Sequence, residues 1–252
     1  MTATQKKTIR KKSAKKMPVK AAPKKLASDL PPMPEVSAEE KKRALAVLRM
    51  LRKHYPDAHC ELNFSNIYEL LIATMLSAQC TDANVNKATP ALFAAFPTPK
   101  DYAASTPKKI EPYIKTLGLF RNKAKAVHES MTMLVNEYDG KVPGTMEDLL
   151  RLRGVARKTA NVVLSNGFGI NMGVVVDTHV ARLSERLGLV EPGTPIPKIE
   201  RKLMALFPRD AWGELSHLLV FHGRRACTAR TKTCEHPVCK KFGVRCPGHA
   251  AT

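Results

Sequence analysis

Negative charge is scarce in this chain: 22 Asp and Glu stand against 42 Lys and Arg, a formal net charge of +20. Such an imbalance disfavours an acidic or cationic partner and points to an anionic polymer. Residues 1–28 contain no acid and ten Lys or Arg, half of the excess; the remaining +10 belongs to the rest of the chain. Long apolar runs are also missing. No stretch of about 18 uninterrupted apolar residues exists, so no membrane span is expected. The start of the chain lacks the apolar run of a signal peptide, and its excess of Lys over Arg argues against a mitochondrial transit peptide. Strand-like sequence is nearly absent: Val174–Val176 is the one such run, too short for a sheet. Close Cys-x₂-Cys pairs, the usual mark of structural zinc, are absent as well.

What remains is helical. Hydrophobic periodicity predicts helices over 38–54, 68–78, 84–95, 107–116, 121–138, 145–152, 157–168, 178–187, 197–206 and 210–222. Pro90, Pro97, Pro99, Pro107, Pro143, Pro192 and Pro208 are expected between these segments or at their starts. The fold class is therefore all-α. The Lys-, Ala- and Pro-rich segment 1–36 has little apolar mass to bury and reads as a disordered basic tail.

The most informative stretch is Leu149-Leu150-Arg151-Leu152-Arg153-Gly154-Val155-Ala156-Arg157-Lys158-Thr159-Ala160-Asn161. Thr145, with Asp148 three residues on, resembles a capping box opening one helix. Gly154 then permits a hairpin, and a second helix follows with Lys158 on its first turn. The first amides of a helix have no intrahelical partner and suit a phosphate oxygen. Nineteen residues after Lys158 comes Asp177, before Thr178-His179. An Asp there is a good N-cap for the next helix and is compatible with a carboxylate facing a cleft. A lysine amine acts as a nucleophile only when unprotonated, a form that desolvated or cationic surroundings favour. Near the C-terminus, Cys227, Cys234, Cys239 and Cys246 are separated by six, four and six residues. Four such thiols suggest a metal or cluster before disulfides. Zinc and no metal remain open on spacing alone. Cys60 and Cys80 read as small core residues, and His179, His217 and His222 as structural residues or DNA contacts.

These motifs resemble the endonuclease III family of helix–hairpin–helix DNA glycosylases and AP lyases. The family's hairpin usually reads Leu-Pro-Gly-Val-Gly-Arg-Lys-Thr-Ala-Asn; here Arg153 and Ala156 replace the Pro and the second Gly. Further matches are Glu61-Leu62-Asn63-Phe64, the run Leu76 to Asp82, the run Thr116 to Ala124 and the cysteine segment, covering about 40 to 246. The resemblance implies two lobes around a DNA cleft: a six-helix lobe at 58–170 with the hairpin, and an iron–sulfur lobe from 37–57 plus 171–252. It implies that Lys158 attacks the sugar C1′ and that Asp177 assists it. It implies DNA contacts from Gln79, Leu119, Gly154, Val155, Ala156 and Arg157, with Arg121, Asn122 and Lys123 beside the wedge and Asp82 in the base pocket. The family holds a 4Fe–4S cluster on cysteines with gaps of six, two and five; here it falls on Cys227, Cys234, Cys239 and Cys246, with Lys232, Lys240, Lys241 and Arg245 turned to phosphates. The expected activity is a bifunctional glycosylase and AP lyase for oxidised pyrimidines in base excision repair. Its substrate would be duplex DNA with damaged pyrimidines or abasic sites. A monomer in the bacterial cytoplasm, on the nucleoid through DNA, is expected. An adenine-mismatch glycosylase and a non-catalytic helix–hairpin–helix DNA binder are the alternatives.

Overall fold

The computed structural model describes residues 31–248, so residues 1–30 of the expected disordered tail lie outside it. Twelve α-helices occur among the described residues, with no strand. They are α1 Ala38–His54, α2 Ile67–Leu76, α3 Asp82–Ala95, α4 Pro99–Ala103, α5 Pro107–Ile114, α6 Phe120–Glu137, α7 Met146–Arg151, α8 Arg157–Phe168, α9 Thr178–Arg186, α10 Ile196–Leu206, α11 Trp212–Arg225 and α12 Pro237–Phe242. A 3₁₀ turn at Arg209–Ala211 leads into α11. The all-α expectation holds, and Val174–Val176 forms no strand.

Local chemistry sets the starts of these helices. Ser37 Oγ accepts from Glu40 N at 3.1 Å while Glu40 Oε2 accepts from Ser37 N at 2.7 Å, a full capping box. Asn66, Thr81 and Thr145 accept from backbone amides three residues on. Pro90 departs from expectation: it lies inside α3. It is on the exposed side, where water can satisfy the carbonyl that its missing N–H leaves free.

Buried apolar side chains form two clusters. One is built from α2–α8 and includes Leu70–Ala73, Tyr102, Ile114, Met131, Leu149 and Leu164. The other joins α1 to α9–α12 through Leu48, Leu51, Val180, Leu203, Trp212 and Leu219. The chain thus leaves the second core after α1 and re-enters it after α8. Helix α8 packs on α2 from one cluster and on α11 from the other. Its N-terminal turn is held at the seam between them.

Candidate active site

A cleft of about 1000 Å³ opens along that seam. Gln79, Asp82, Ala156, Lys158, Asp177 and His179 are among the residues lining it. The hairpin that places Lys158 depends on Gly154, whose φ of +79° lies in the left-handed region; a Cβ there would also sit 3.0 Å from Ala126 Cβ. Ala156, where the family often has its second Gly, has φ −95° and ψ 170°, which any residue adopts. The backbone therefore tolerates alanine at that point. Ala156 is the N-cap of α8 and supplies no side-chain acceptor, so the first amides of this helix are left uncapped.

Lys158 is exposed, and among the described residues its Nζ has no hydrogen bond or ion pair. Asp177 combines the two readings its position allowed. Its Oδ1 accepts from Val180 N at 2.8 Å, making it the N-cap of α9. No described residue hydrogen bonds to Oδ2, while the residue lines the cleft. Asp82 shares this electrostatic field. Burial pushes its carboxyl above the ordinary value, the Asp177 charge adds to the rise, and Lys158 and His179 oppose it. Arg224 of α11 pairs with Glu61 and, at 2.7 Å, with Asp82, bridging from the second core to the Glu61 loop and the start of α3.

Two residues expected to contact DNA adopt left-handed backbone without being glycine: Gln79, which lines the cleft, at φ 54°, and Leu119 at φ 47°. Asp139 is the third such residue described. Leu119 is 59% exposed, the most solvent-exposed of the large hydrophobics described.

The cations suggested beside these residues are largely committed elsewhere. Arg157 turns inward, its Nε donating to both Glu200 oxygens at 3.0 and 3.2 Å. Only its backbone amide remains at the helix start. Arg153 pairs with Glu129 at 2.8 Å. Lys123 is 8% exposed and donates to Leu117 O at 2.5 Å, so it supports the Leu119 turn from inside instead of meeting a backbone phosphate. Burial pushes its ammonium down from the ordinary lysine value. Lys240 pairs with Glu235, and Arg245 with Glu191. Cys60 and Cys80 are only partly buried and line the cleft.

Away from the cleft, Cys227, Cys234, Cys239 and Cys246 are all buried and unbridged. They interact as a group. The Cys227 thiol is pushed down and the Cys239 thiol up, chiefly by sulfur–sulfur hydrogen bonding; Cys246 is pushed up to about 12, first by Cys227. Arg186 donates to Cys227 Sγ at 3.1 Å, as suits a thiolate. Gly243 closes the loop: a Cβ there would lie 2.4 Å from Cys239 O and 2.9 Å from Cys246 Sγ. His222 was not expected here. It is fully buried, with Nδ1 2.8 Å from Tyr55 Oη and Nε2 3.2 Å from Cys239 Sγ. Its ligand atom lies within 4.8 Å of those of Cys227 and Cys239, a grouping compatible with metal binding. Its position five residues before Cys227 was the available signal; nothing in the spacing marked Arg186 or Tyr55.

The model of the HhH-GPD superfamily of base excision DNA repair proteins matches residues 72–209. The chain belongs to that superfamily. The endonuclease III of Synechocystis sp. is 51% identical over 197 residues, which cover 78% of this chain and 90% of that protein. A non-covalent endonuclease III–DNA complex aligns with a TM-score of 0.77 at 40% identity, covering 84% of this chain and 97% of that one. A trapped endonuclease III–DNA covalent intermediate aligns with the same score and identity. An HhH-GPD assignment accounts for the arrangement around α8: the matched span contains the hairpin, Lys158 and Asp177. No described helix is long and apolar enough to cross a membrane.

Proposed function

We propose that this chain is a bifunctional DNA glycosylase and AP lyase of the endonuclease III type, acting on duplex DNA with oxidised pyrimidines or abasic sites. One observation carries the reading. An unpartnered amine at the uncapped start of α8 and a carboxylate with one uncommitted oxygen open into the same cleft.

The α8 amides of the hairpin grip a phosphate, a contact that positions without reading sequence. Gln79 and Leu119, presented on strained turns, enter the stack and fill the space left by the extruded nucleotide. The unprotonated Lys158 Nζ attacks C1′; the C1′–N bond breaks and its electron pair leaves with the base, which takes up a proton. Asp177 Oδ2 stabilises positive charge developing on the sugar and receives the proton released by the amine. The nitrogen lone pair then forms the C1′=N bond as the C1′–O4′ bond breaks and O4′ takes up a proton, and the ring-opened Schiff base acidifies C2′. Loss of that proton forms the alkene and expels the 3′ phosphate, which cuts the strand. Hydrolysis returns free lysine.

The four cysteines fit a 4Fe–4S cluster: four buried sulfurs, a cation on Cys227 and a loop that only glycine closes at position 243. When bound, the cluster supplies cross-linking of the C-terminal loop. Iron and sulfide near four each, with no stoichiometric zinc, is the expected content. We also propose that the two cores correspond to a hairpin lobe at 58–170 and a cluster lobe from 37–57 plus 171–252, of which 249–252 lie outside the described residues. The net charge of +20 makes affinity fall steeply with salt.

Borohydride trapping on a thymine glycol duplex tests the activity. The intact protein should give a covalent adduct that Lys158→Gln abolishes. Base release without an adduct would mean a monofunctional glycosylase acting through water. Neither base release nor cleavage of an abasic duplex would defeat the reading.

A further inference from the structure

Glu200, on α10, is 6% exposed and takes no part in the steps above. It is nonetheless bonded to α8 by two side chains. Arg157 donates through Nε to both of its oxygens, at 3.0 and 3.2 Å, and Arg157 Nη2 lies 3.0 Å from Oε1. Asn161 Nδ2, one turn further along α8, donates to Oε1 at 3.1 Å. The same Arg157 Nη2 donates to Met172 O at 3.1 Å, five residues before Asp177. The backbone at Gly173 is pressed against this network. A Cβ there would lie 2.1 Å from Glu200 Oε1, 2.7 Å from Asn161 Nδ2 and 3.0 Å from Arg157 Nη2.

One buried carboxylate thus ties together the turn carrying Lys158 and the segment that leads from Met172 to Asp177. Those two residues come from different cores and are joined by no direct hydrogen bond among the described residues. A charge placed at this depth costs several kcal/mol unless its partners are geometrically well set. A clamp between them is what such a charge can supply.

We infer that Glu200 is a positioning residue for the reaction. It sets the separation of Lys158 from Asp177 through Arg157, Asn161 and the Met172–Gly173 backbone. The inference rests on the activity proposed above. Nucleophile and carboxylate must be aligned to within a fraction of an ångström, and a displacement of about 1 Å costs on the order of 10²-fold in rate.

The test uses the full chain, an abasic-site duplex and borohydride trapping under single-turnover conditions, well below the melting temperature. Two variants disturb the clamp in different ways. Glu200→Gln removes the charge and one acceptor. Gly173→Ala keeps every polar group but places a methyl where Oε1 sits. Each should slow trapping on the order of 10²-fold, with duplex Kd within about twofold of the intact protein and a cooperative melt retained. A merely structural role would not split rate from affinity in this way. Trapping within twofold of the intact protein in both variants would overturn the inference. So would a rate loss matched by an equal loss of affinity, or variants that no longer fold, since the network would then serve folding alone. Absence of an adduct with the intact protein would instead count against the proposed activity.

Discussion

Asp177 has one oxygen on the Val180 amide at 2.8 Å and one without a partner, so its two roles can be separated by substitution. Asn and Asp are about equally good N-caps. Asp177→Asn therefore keeps the bond to Val180 and loses only the favourable charge at the start of α9, worth ~0.3–1 kcal/mol. Asp177→Ala loses the cap as well, a further ~1 kcal/mol. For a domain of this size each kcal/mol moves Tm by about 2–4 °C. The Asn variant should melt within about 4 °C of the intact protein, and the Ala variant lower still. Activity should order differently. A preorganised charge at the developing positive centre is worth about 10²–10³ in rate, and both variants lose it equally. Single-turnover base release and thermal melting, measured on both proteins, separate the alternatives. If Asp177→Asn retained activity within twofold while Asp177→Ala lost it in step with Tm, the aspartate would be a cap and nothing more. The catalytic assignment would then fail.

Three further outcomes are expected. A non-glycine residue in the left-handed region costs about 1–2 kcal/mol, and glycine returns part of that gain as ~0.5–1 kcal/mol of chain entropy. Gln79→Gly and Leu119→Gly should therefore melt at or slightly above the intact protein while excising a base from duplex DNA at least ~10-fold more slowly; equal losses on a preformed abasic site would refute a wedging role. His217 Nε2 sits 2.8 Å from Asn166 Oδ1, and burial lowers the imidazole from 6.5 to about 4. The folded state holds this group neutral, so its stability is full above pH 6.5 and lost as pH falls toward 4, by about 3 kcal/mol. Urea unfolding at pH 7 and pH 4.5 should show that loss in the intact protein and a smaller one in His217→Gln; identical losses would place the acid sensitivity elsewhere. Ala156→Ser puts a capping oxygen at the start of α8 and should stabilise by ~1 kcal/mol while weakening duplex binding in fluorescence anisotropy. Unchanged binding would mean that phosphate does not use those amides.

The sequence made the helices legible where one face is apolar over several turns. Residues 38–54 and 157–168 match α1 and α8 end to end, and the other long segments agree to within about three residues. Two short helices, α4 and α12, were missed, because five or six residues carry too little periodicity to read; α7, equally short, was legible through its Thr145 cap. Proline was over-interpreted: at Pro90 an exposed helix face tolerates it. The N-cap at Asp177 was legible because capping is a local rule. The inward turns of Arg157 and Lys123 were not. Their partners, Glu200 and the Leu117 carbonyl, are chosen by packing, and a lysine or arginine looks the same in sequence whether it faces DNA or the interior. His222 was missed for the same reason: its approach to Cys239 depends on how α11 lies against the cysteine loop.

The starts of the helices make a pattern that packing alone does not explain. Helices α1, α2, α3, α7 and α9 begin on a side chain that accepts from the first turn. Thr98 and Asp101 form a box at α4, His236 accepts at α12, α5 and α10 have proline in the first turn, and α11 continues a 3₁₀ turn. Among the described helices, α6 and α8 alone have none of these devices. Their N-caps are Leu119, in a left-handed conformation with its side chain in solvent, and Ala156, beside Lys158. A missing cap forgoes ~1 kcal/mol, and the left-handed leucine adds about 1–2 kcal/mol of strain. Random looseness would scatter such costs over the molecule. Here both fall on the two helix starts assigned to the wedge and the phosphate grip. A cap would stabilise the free protein but occupy amides that a phosphate needs, and a relaxed turn would fold the leucine away from the stack. On the roles proposed for them, the stability withheld at these two points would be recovered when DNA supplies the missing partners.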